Sequence, residues 1–148
     1  MSNQLLIIAH APLASALREC ALHVYPDCAE RVAAVDVPPQ ELPDDTLVRC
    51  RKMAQEFGQN GLLVMTDIYG ATPSNIAQKL VNATDHKLVV GVNLPMLIRT
   101  VCYLDESLDN LVQRALSGGV KGVMQLASSA PLYQVDKTND SNQYNHQQ

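Results

Sequence analysis

The sequence predicts an α/β protein in which a mostly parallel, doubly wound sheet is covered by helices on both faces. Two observations lead to this fold class. Apolar runs of strand length recur along the chain, and each is followed by a segment whose apolar residues recur at helical spacing. Strands that alternate with helices pair in parallel, because each helix carries the chain back across the sheet in a right-handed crossover.

The first half of the chain contains two strand–helix units. Leu5–Ala9 is continuously apolar, as expected for a strand buried on both faces. The apolar positions of the helix that follows are Leu13, Ala16, Leu17, Cys20, Ala21 and Val24. Arg31–Val37 is the second predicted strand. Asp44 or Asp45 is a candidate N-cap for the second helix.

The second half repeats this pattern. Leu62–Thr66 is the third predicted strand, and Pro73 suits the first turn of the next helix, where an N–H group is not required. Lys87–Val92 is the fourth predicted strand, and Leu94–Tyr103 has a helical pattern. The lengths of these elements fit a flavodoxin-like strand order of 2-1-3-4.

The last part of the chain predicts one further helix and one further strand. Ser107 is the candidate cap of this helix, and Gly118-Gly119 is its predicted end. A fifth strand is predicted over Val120–Leu126. Residues 1–130 then form one domain, and the polar residues 131–148 form a flexible tail.

The composition excludes several classes of function. The chain has 148 residues, of which 47% are hydrophobic and 18% charged, and its net charge is −4. We expect no nucleic-acid partner, since phosphate binding needs a basic surface. We also expect no membrane insertion and a cytoplasmic location, because there is no secretory leader and no apolar stretch of about 20 residues. The four cysteines lack zinc-ligand spacing, so we predict free thiols and no metal.

Two ionisable residues stand where predicted strands end. His10 follows strand one and Asp67 follows strand three. In the order 2-1-3-4 these strands are neighbours, and the crevice between their carboxyl ends is where ligands bind in such sheets. Each residue alone has a structural alternative, since a histidine at a strand end is often only structural and Asp67 could cap a turn. Together they predict a site.

Histidine beside aspartate suits phosphoryl transfer. A neutral imidazole attacks phosphorus through one nitrogen while a carboxylate holds the proton on the other. The phosphoryl charge then needs donors, which the helix N-termini after His10 and near Pro73 can supply. Thr72 adds a hydroxyl, although it could simply be an N-cap, and Gly70 allows close approach of the backbone.

These residues carry a resemblance to a known family. The segments LLIIAH at 5–10, VMTDIYGATPSN at 64–75 and VVGVNLPMLIRT at 89–100 resemble the enzyme IIA component, mannose family, of the bacterial phosphoenolpyruvate-dependent sugar phosphotransferase system. The resemblance covers about residues 4 to 126. It implies that His10 is the phospho-acceptor, with Nε2 favoured, and that Asp67 orients it while Thr72 donates to the phosphoryl group.

The resemblance also implies a function and partners. Such a phosphotransferase component accepts its phosphoryl group from the phosphocarrier HPr and passes it to a IIB protein in sugar uptake. It needs no cofactor beyond the phosphohistidine intermediate. The chain is further expected to be a homodimer that can exchange its last strand between subunits, with Gly118-Gly119 as the hinge.

Further residues are assigned to binding and docking. Ala11, Gly70, Ala71 and Asn93 are candidate binding residues, although Asn93 could equally serve a turn. The candidate docking residues are Met96, Leu97 and Arg99. The chain departs from the family after the histidine, where Ala11-Pro12 replaces the usual glycine and removes one N–H, and we expect slower phosphorylation as a result.

Three other functions remain open. The same phosphorylation of His10 could regulate the binding of a target without sugar transport, or deliver phosphoryl groups to a dihydroxyacetone kinase system. Alternatively, the chain could be a small-ligand-binding flavodoxin-like module. The loop after strand one, HAPLAS, argues against this last alternative, since it lacks a glycine-rich phosphate cradle.

Overall fold

The computed structural model describes residues 3–57 and 60–128, which contain one four-stranded parallel sheet. The strand order is β2-β1-β3-β4, as predicted. The strands are β1 Gln4–His10, β2 Val32–Val37, β3 Leu62–Thr66 and β4 Lys87–Val90. The fourth strand is shorter than predicted because Gly91 adopts a φ of 96°, which turns the chain out of the sheet.

Residues 3–57 and 60–128 also contain five α-helices. They are α1 Leu13–Val24, α2 Pro43–Phe57, α3 Thr72–Val81, α4 Leu94–Val101 and α5 Leu108–Lys121. A short 3-10 helix over Pro26–Arg31 leads into β2. The predicted cap of α5 is confirmed, since Ser107 Oγ accepts a hydrogen bond from the Asn110 N–H at 3.2 Å. No helix among the described residues is both long and apolar enough to cross a membrane.

The sheet has a hydrophobic core on each face, because successive side chains of a strand point to opposite sides. On one face, Leu5, Ile7 and Leu63 pack with α1, α4 and α5. On the other face, Leu6 and Leu62 pack with α2 and α3. This double cover explains why the strands read as continuous apolar runs.

The predicted apolar stripe of α1 is only partly buried. Leu17 and Ala21 face the core, together with Ala14, which the spacing did not select. Leu13, Ala16, Cys20 and Val24 are exposed. Their spacing is helical, but it belongs to the side of α1 that faces away from the sheet.

The predicted end of the last helix is wrong. Gly118 and Gly119 lie inside α5, which continues to Lys121 and ends at Gly122. The glycines serve packing, because a Cβ on Gly118 would lie 2.7 Å from Arg99 Cβ and one on Gly119 would lie 2.7 Å from Met96 Cε. Helices α4 and α5 therefore meet with little side chain between them.

The fifth strand is absent from the described chain. Val120 and Lys121 belong to α5, and residues 123–127 have no regular secondary structure. Four apolar side chains of this segment are exposed: Val120, Val123, Met124 and Leu126. A strand needs a neighbour to pair with, and no strand of the described chain pairs with this segment. Strand exchange therefore stays a prediction, and the predicted tail over residues 131–148 lies outside the described residues.

Candidate active site

The structure brings His10 and Asp67 together at the carboxyl edge of the sheet. Strands β1 and β3 are neighbours, so their final residues lie side by side. The Asp67 carboxylate receives the main-chain N–H of His10 at Oδ2, over 3.0 Å, and the same oxygen lies 2.7 Å from Nδ1 of the His10 ring. Asp67 Oδ1 accepts the N–H of Ile68 at 2.9 Å.

This arrangement selects one tautomer of the histidine. A carboxylate only accepts hydrogen bonds, so Nδ1 carries the proton and Nε2 of the neutral ring keeps its lone pair. The Asp67 side chain is 7% exposed, whereas the His10 side chain is 51% exposed. The candidate acceptor is therefore open to solvent, while the carboxylate that binds its ring is buried.

Hydrogen bonds keep the buried carboxylate ionised. Burial alone would raise the pKa of Asp67, but the His10 main-chain N–H, the His10 ring and the Ile68 N–H hold this pKa below its usual value. Asp67 can therefore offset the positive charge that forms on a ring phosphorylated at Nε2.

The N-terminus of α3 lies at the same edge of the sheet. Thr72 is its first residue and Pro73 its second, and no side chain of the described residues caps it. Gly70, with a φ of 85°, turns the chain into this helix, and the N-cap position is occupied by Ala71. The first N–H groups of such a terminus are free to meet an anion.

The N-terminus of α1, the other helix start expected to supply donors, is partly occupied by a carboxylate of the protein. Asp36 Oδ1 accepts the N–H of Ser15 at 3.0 Å, and Oδ2 accepts the Ser15 hydroxyl at 2.6 Å. Pro12 stands at the N-cap and supplies neither an N–H nor a side-chain cap. Asp36 was not among the residues predicted to lie at this site, although a charged residue inside the otherwise apolar second strand was a signal.

Three of the four candidate binding residues are engaged within the protein, and one of them is Ala71, whose N–H donates to the Ile68 carbonyl at 3.4 Å. The Ala11 N–H donates to the Val37 carbonyl at 3.0 Å, so it is not available to a ligand. Asn93 caps α4, because its Oδ1 accepts the Met96 N–H at 2.9 Å and its Nδ2 donates to the Gly119 carbonyl at 3.1 Å. The turn alternative therefore describes Asn93 better than the cleft alternative.

The predicted docking residues are placed differently from one another. Met96 and Leu97 are buried in the core, so neither can form an exposed rim, whereas Arg99 is exposed. Their helix turns them inward because α4 packs against both the sheet and α5. Two other apolar side chains do stand beside the acceptor, since Ile68 is 61% exposed and Tyr69 is 79% exposed directly after Asp67. Two large apolar residues directly after a predicted strand end, Ile68 and Tyr69, could have indicated this exposed rim.

Metal chemistry has no evident site in the part of the chain that is described. Residues 3–57 and 60–128 contain no group of three or more histidine, cysteine, aspartate or glutamate side chains placed to hold a metal ion. All four cysteines are free thiols, with Cys28 and Cys50 buried and Cys20 and Cys102 exposed.

Comparison with known families identifies the family of the chain. The family model described as "PTS system fructose IIA component" (EIIA-man) matches residues 4–116. The chain belongs to the mannose-type enzyme IIA family. It is 32% identical over 101 residues to the "PTS system mannose-specific EIIAB component" of Escherichia coli strain K12. That match covers 66% of this IIA chain but 31% of the relative, so the chain spans about a third of the length of these curated relatives.

Solved structures share the fold of this IIA protein. The mannose/sorbose-specific IIA subunit of Enterococcus faecalis superposes with a TM-score of 0.80 at 21% identity, covering 88% of this chain and 99% of that one. The phosphotransferase component EIIA of Streptococcus agalactiae gives a TM-score of 0.73 at 24% identity, covering 82% and 95% of the two chains. At these identities the likeness establishes the fold.

Proposed function

We propose that this IIA protein accepts a phosphoryl group from HPr on Nε2 of His10 and passes it to a IIB partner during sugar uptake. The observation that carries the proposal is the 2.7 Å contact between His10 Nδ1 and Asp67 Oδ2, which fixes the proton on the nitrogen that does not react. Family membership supplies the context, since IIA components of this type are phosphotransferase components.

The chemistry follows from the geometry. The lone pair of Nε2 attacks phosphorus, and the bond between phosphorus and the donor breaks with its electron pair returning to the donor. The ring of His10 keeps its proton on Nδ1 and becomes cationic, which the ionised Asp67 stabilises. Transfer to IIB reverses these steps, so the acceptor regains its neutral form without a separate proton transfer.

The transferred group needs donors around its oxygens, because its negative charge is spread over them. The open N-terminus of α3 offers N–H groups and the positive end of the helix dipole. Thr72, the first residue of this helix, offers a hydroxyl. In this proposal Asp67 orients the ring of His10, and the N-terminus of α3 binds the phosphoryl group.

The assembly and location belong to the same proposal. The exposed apolar residues after α5 favour a homodimer in which each chain lends its C-terminal segment to the sheet of the other. HPr and IIB then dock at the exposed His10, with Ile68 and Tyr69 as contacts. Encounter with these partners is expected in the cytoplasm, and the final phosphoryl acceptor is a sugar.

The test is the intact mass of the protein after incubation with phosphoenolpyruvate, enzyme I and HPr. We expect one acid-labile phosphoryl group on the parent and none on His10→Ala. His23→Ala is the matched control, because His23 is also exposed but lies near the far end of α1. This variant should be phosphorylated like the parent. A parent that stays unphosphorylated while HPr is active would refute the proposal.

A further inference from the structure

A second carboxylate lies on the strand next to His10. Asp36 is the penultimate residue of β2, where it pairs in register with Ala9, and Val37 pairs with His10. Its half-buried carboxylate receives the main-chain N–H and the hydroxyl of Ser15 in the first turn of α1. The N-terminus of α1, the helix that follows His10, therefore binds the Asp36 carboxylate.

The strand that carries this carboxylate is held by a hydrogen-bond network. Arg49 Nη2 donates to the main-chain carbonyl of Asp36 at 2.8 Å. The Arg49 guanidinium also binds both oxygens of Glu41, at 3.0 and 2.8 Å, and the Thr46 hydroxyl donates to Glu41 at 2.6 Å. Arg49 thus pairs with Glu41 and interacts more weakly with the charge of Asp36.

No cation of residues 3–57 and 60–128 forms an ion pair with the Asp36 carboxylate. A carboxylate at a helix N-terminus is stabilised by the positive end of the helix dipole. Through the Ser15 N–H it also takes up part of that positive end, so α1 offers less of it to a phosphoryl group. A doubly negative phosphoryl group on the neighbouring strand end would also be repelled by the Asp36 charge.

We propose that Asp36 is a positioning residue that weakens the hold of His10 on its phosphoryl group and so favours onward transfer. This inference rests on the proposed function. Asp36 raises the free energy of the phosphorylated state relative to the unphosphorylated one, because its charge meets two additional negative charges only in the former. The step itself is unchanged: one bond from phosphorus to nitrogen forms on His10 as the bond to the donor breaks.

The experiment measures the equilibrium constant for phosphoryl exchange between HPr and the full chain, by intact mass at alkaline pH and low ionic strength. Asp36→Asn keeps the size of the side chain and an oxygen for the Ser15 N–H but removes the charge. We expect it to shift the equilibrium toward the phosphorylated chain by about threefold to tenfold, and to do so less at high salt. Asp36→Glu, which keeps the charge, should retain the parent constant.

Two controls separate charge from structure. Asp109→Asn removes one negative charge from an exposed position at the start of α5 and should leave the exchange constant unchanged. Ser15→Ala keeps the Asp36 charge but removes a hydrogen bond, so it should lower the melting temperature and shift the constant less than about twofold. If Asp36→Asn does not fold, Asp36→Ser serves as the neutral variant.

The outcomes distinguish the two proposals. A parent that is phosphorylated while the neutral Asp36 variants keep its exchange constant, or shift it toward HPr, would overturn the role of Asp36 and leave the acceptor role of His10 standing. A parent that is not phosphorylated by active HPr overturns both.

Discussion

Asp67 is the residue on which the site depends, because three hydrogen bonds converge on its carboxylate. Two of them come from His10 and one from Ile68. They outweigh the effect of burial and lower the pKa of Asp67. The same bonds that orient the acceptor therefore also couple the stability of the fold to pH.

Asp67→Asn should lower the free energy of unfolding near pH 7. It should also make this free energy fall less steeply as the pH is lowered into the acid range. A carboxyl group whose pKa is lowered by folding contributes stability above its unfolded pKa of about 3.9, and this contribution is lost as the pH falls through the lower folded pKa. Because an amide cannot titrate, the variant loses about 1–2 kcal/mol near pH 7 and little of this difference at pH 2. Urea unfolding at both pH values measures it.

The exposed Asp109→Asn variant is the control for this measurement. It removes a charge that meets only the dipole of α5 and Lys87 at 3.8 Å, so it should lose less stability near pH 7 than Asp67→Asn does. Equal stabilities of Asp67→Asn and the parent near pH 7 would show that the hydrogen bonds to Asp67 contribute nothing to the fold.

The juxtaposition of His10 and Asp67 could be predicted from the sequence, because strand order alone decides which strand ends are neighbours. The role of Asp36 could not be predicted in this way. It depends on the register of β2 against β1 and on the contact between Ser15 and the end of β2. Neither follows from apolar periodicity. The burial of Met96 and Leu97 was missed for a similar reason, since it depends on how α4 packs on the sheet.

At the scale of elements, the contact between α4 and α5 shows how packing overrides local rules. A pair of glycines often ends a helix, and this rule predicts an end at Gly118-Gly119. In the structure both positions are helical. They are glycine because any larger side chain would collide with α4. The four strands of the sheet lacked such competition, so their apolar runs predicted them, whereas the run over Val120–Leu126 formed no strand.

Gly118→Ala should destabilise the protein although alanine favours helices. The added Cβ would meet Arg99 Cβ at 2.7 Å and Arg99 Cγ at 2.9 Å, atoms close to the backbone of α4 that cannot move away independently. Overpacking of this kind costs about 1–3 kcal/mol, against a gain of about 1 kcal/mol in helix propensity. Thermal unfolding measures the net loss.

Gly119→Ala is the matched comparison. Its added Cβ would meet Met96 Cε, the movable end of a flexible side chain, at 2.7 Å. We expect a smaller loss than for Gly118→Ala. A larger loss for Gly119→Ala would show that the spacing of α4 and α5 is set by Met96 rather than by Arg99.

At the scale of the whole molecule, the central strand β3 joins the two cores. Leu62 faces α2 and α3, Leu63 faces the layer of α1, α4 and α5, and both are fully buried. Neither core can lose its packing without disturbing the strand that also supports the other. The described residues should therefore unfold as one cooperative unit.

Leu62→Ala and Leu63→Ala should each lower the free energy of unfolding by about 2–5 kcal/mol, with a single transition in both variants. Leu42→Ala is the control, since Leu42 is 66% exposed and its truncation should change stability by less than about 0.5 kcal/mol. Urea unfolding followed by circular dichroism and by tyrosine fluorescence tests this. Two separated transitions in either leucine variant would contradict the cooperative unit.

The double contact of Asp67 with the backbone and the ring of His10 also has a kinetic consequence. One oxygen of Asp67 accepts hydrogen bonds from both the main-chain N–H and Nδ1 of His10, and this restrains both side-chain torsion angles of the histidine. The His10 side chain therefore loses its rotamer entropy already during folding. Under the proposed function, a phosphoryl donor that reaches the exposed ring would meet an acceptor that is already oriented, which lowers the entropy lost in the encounter.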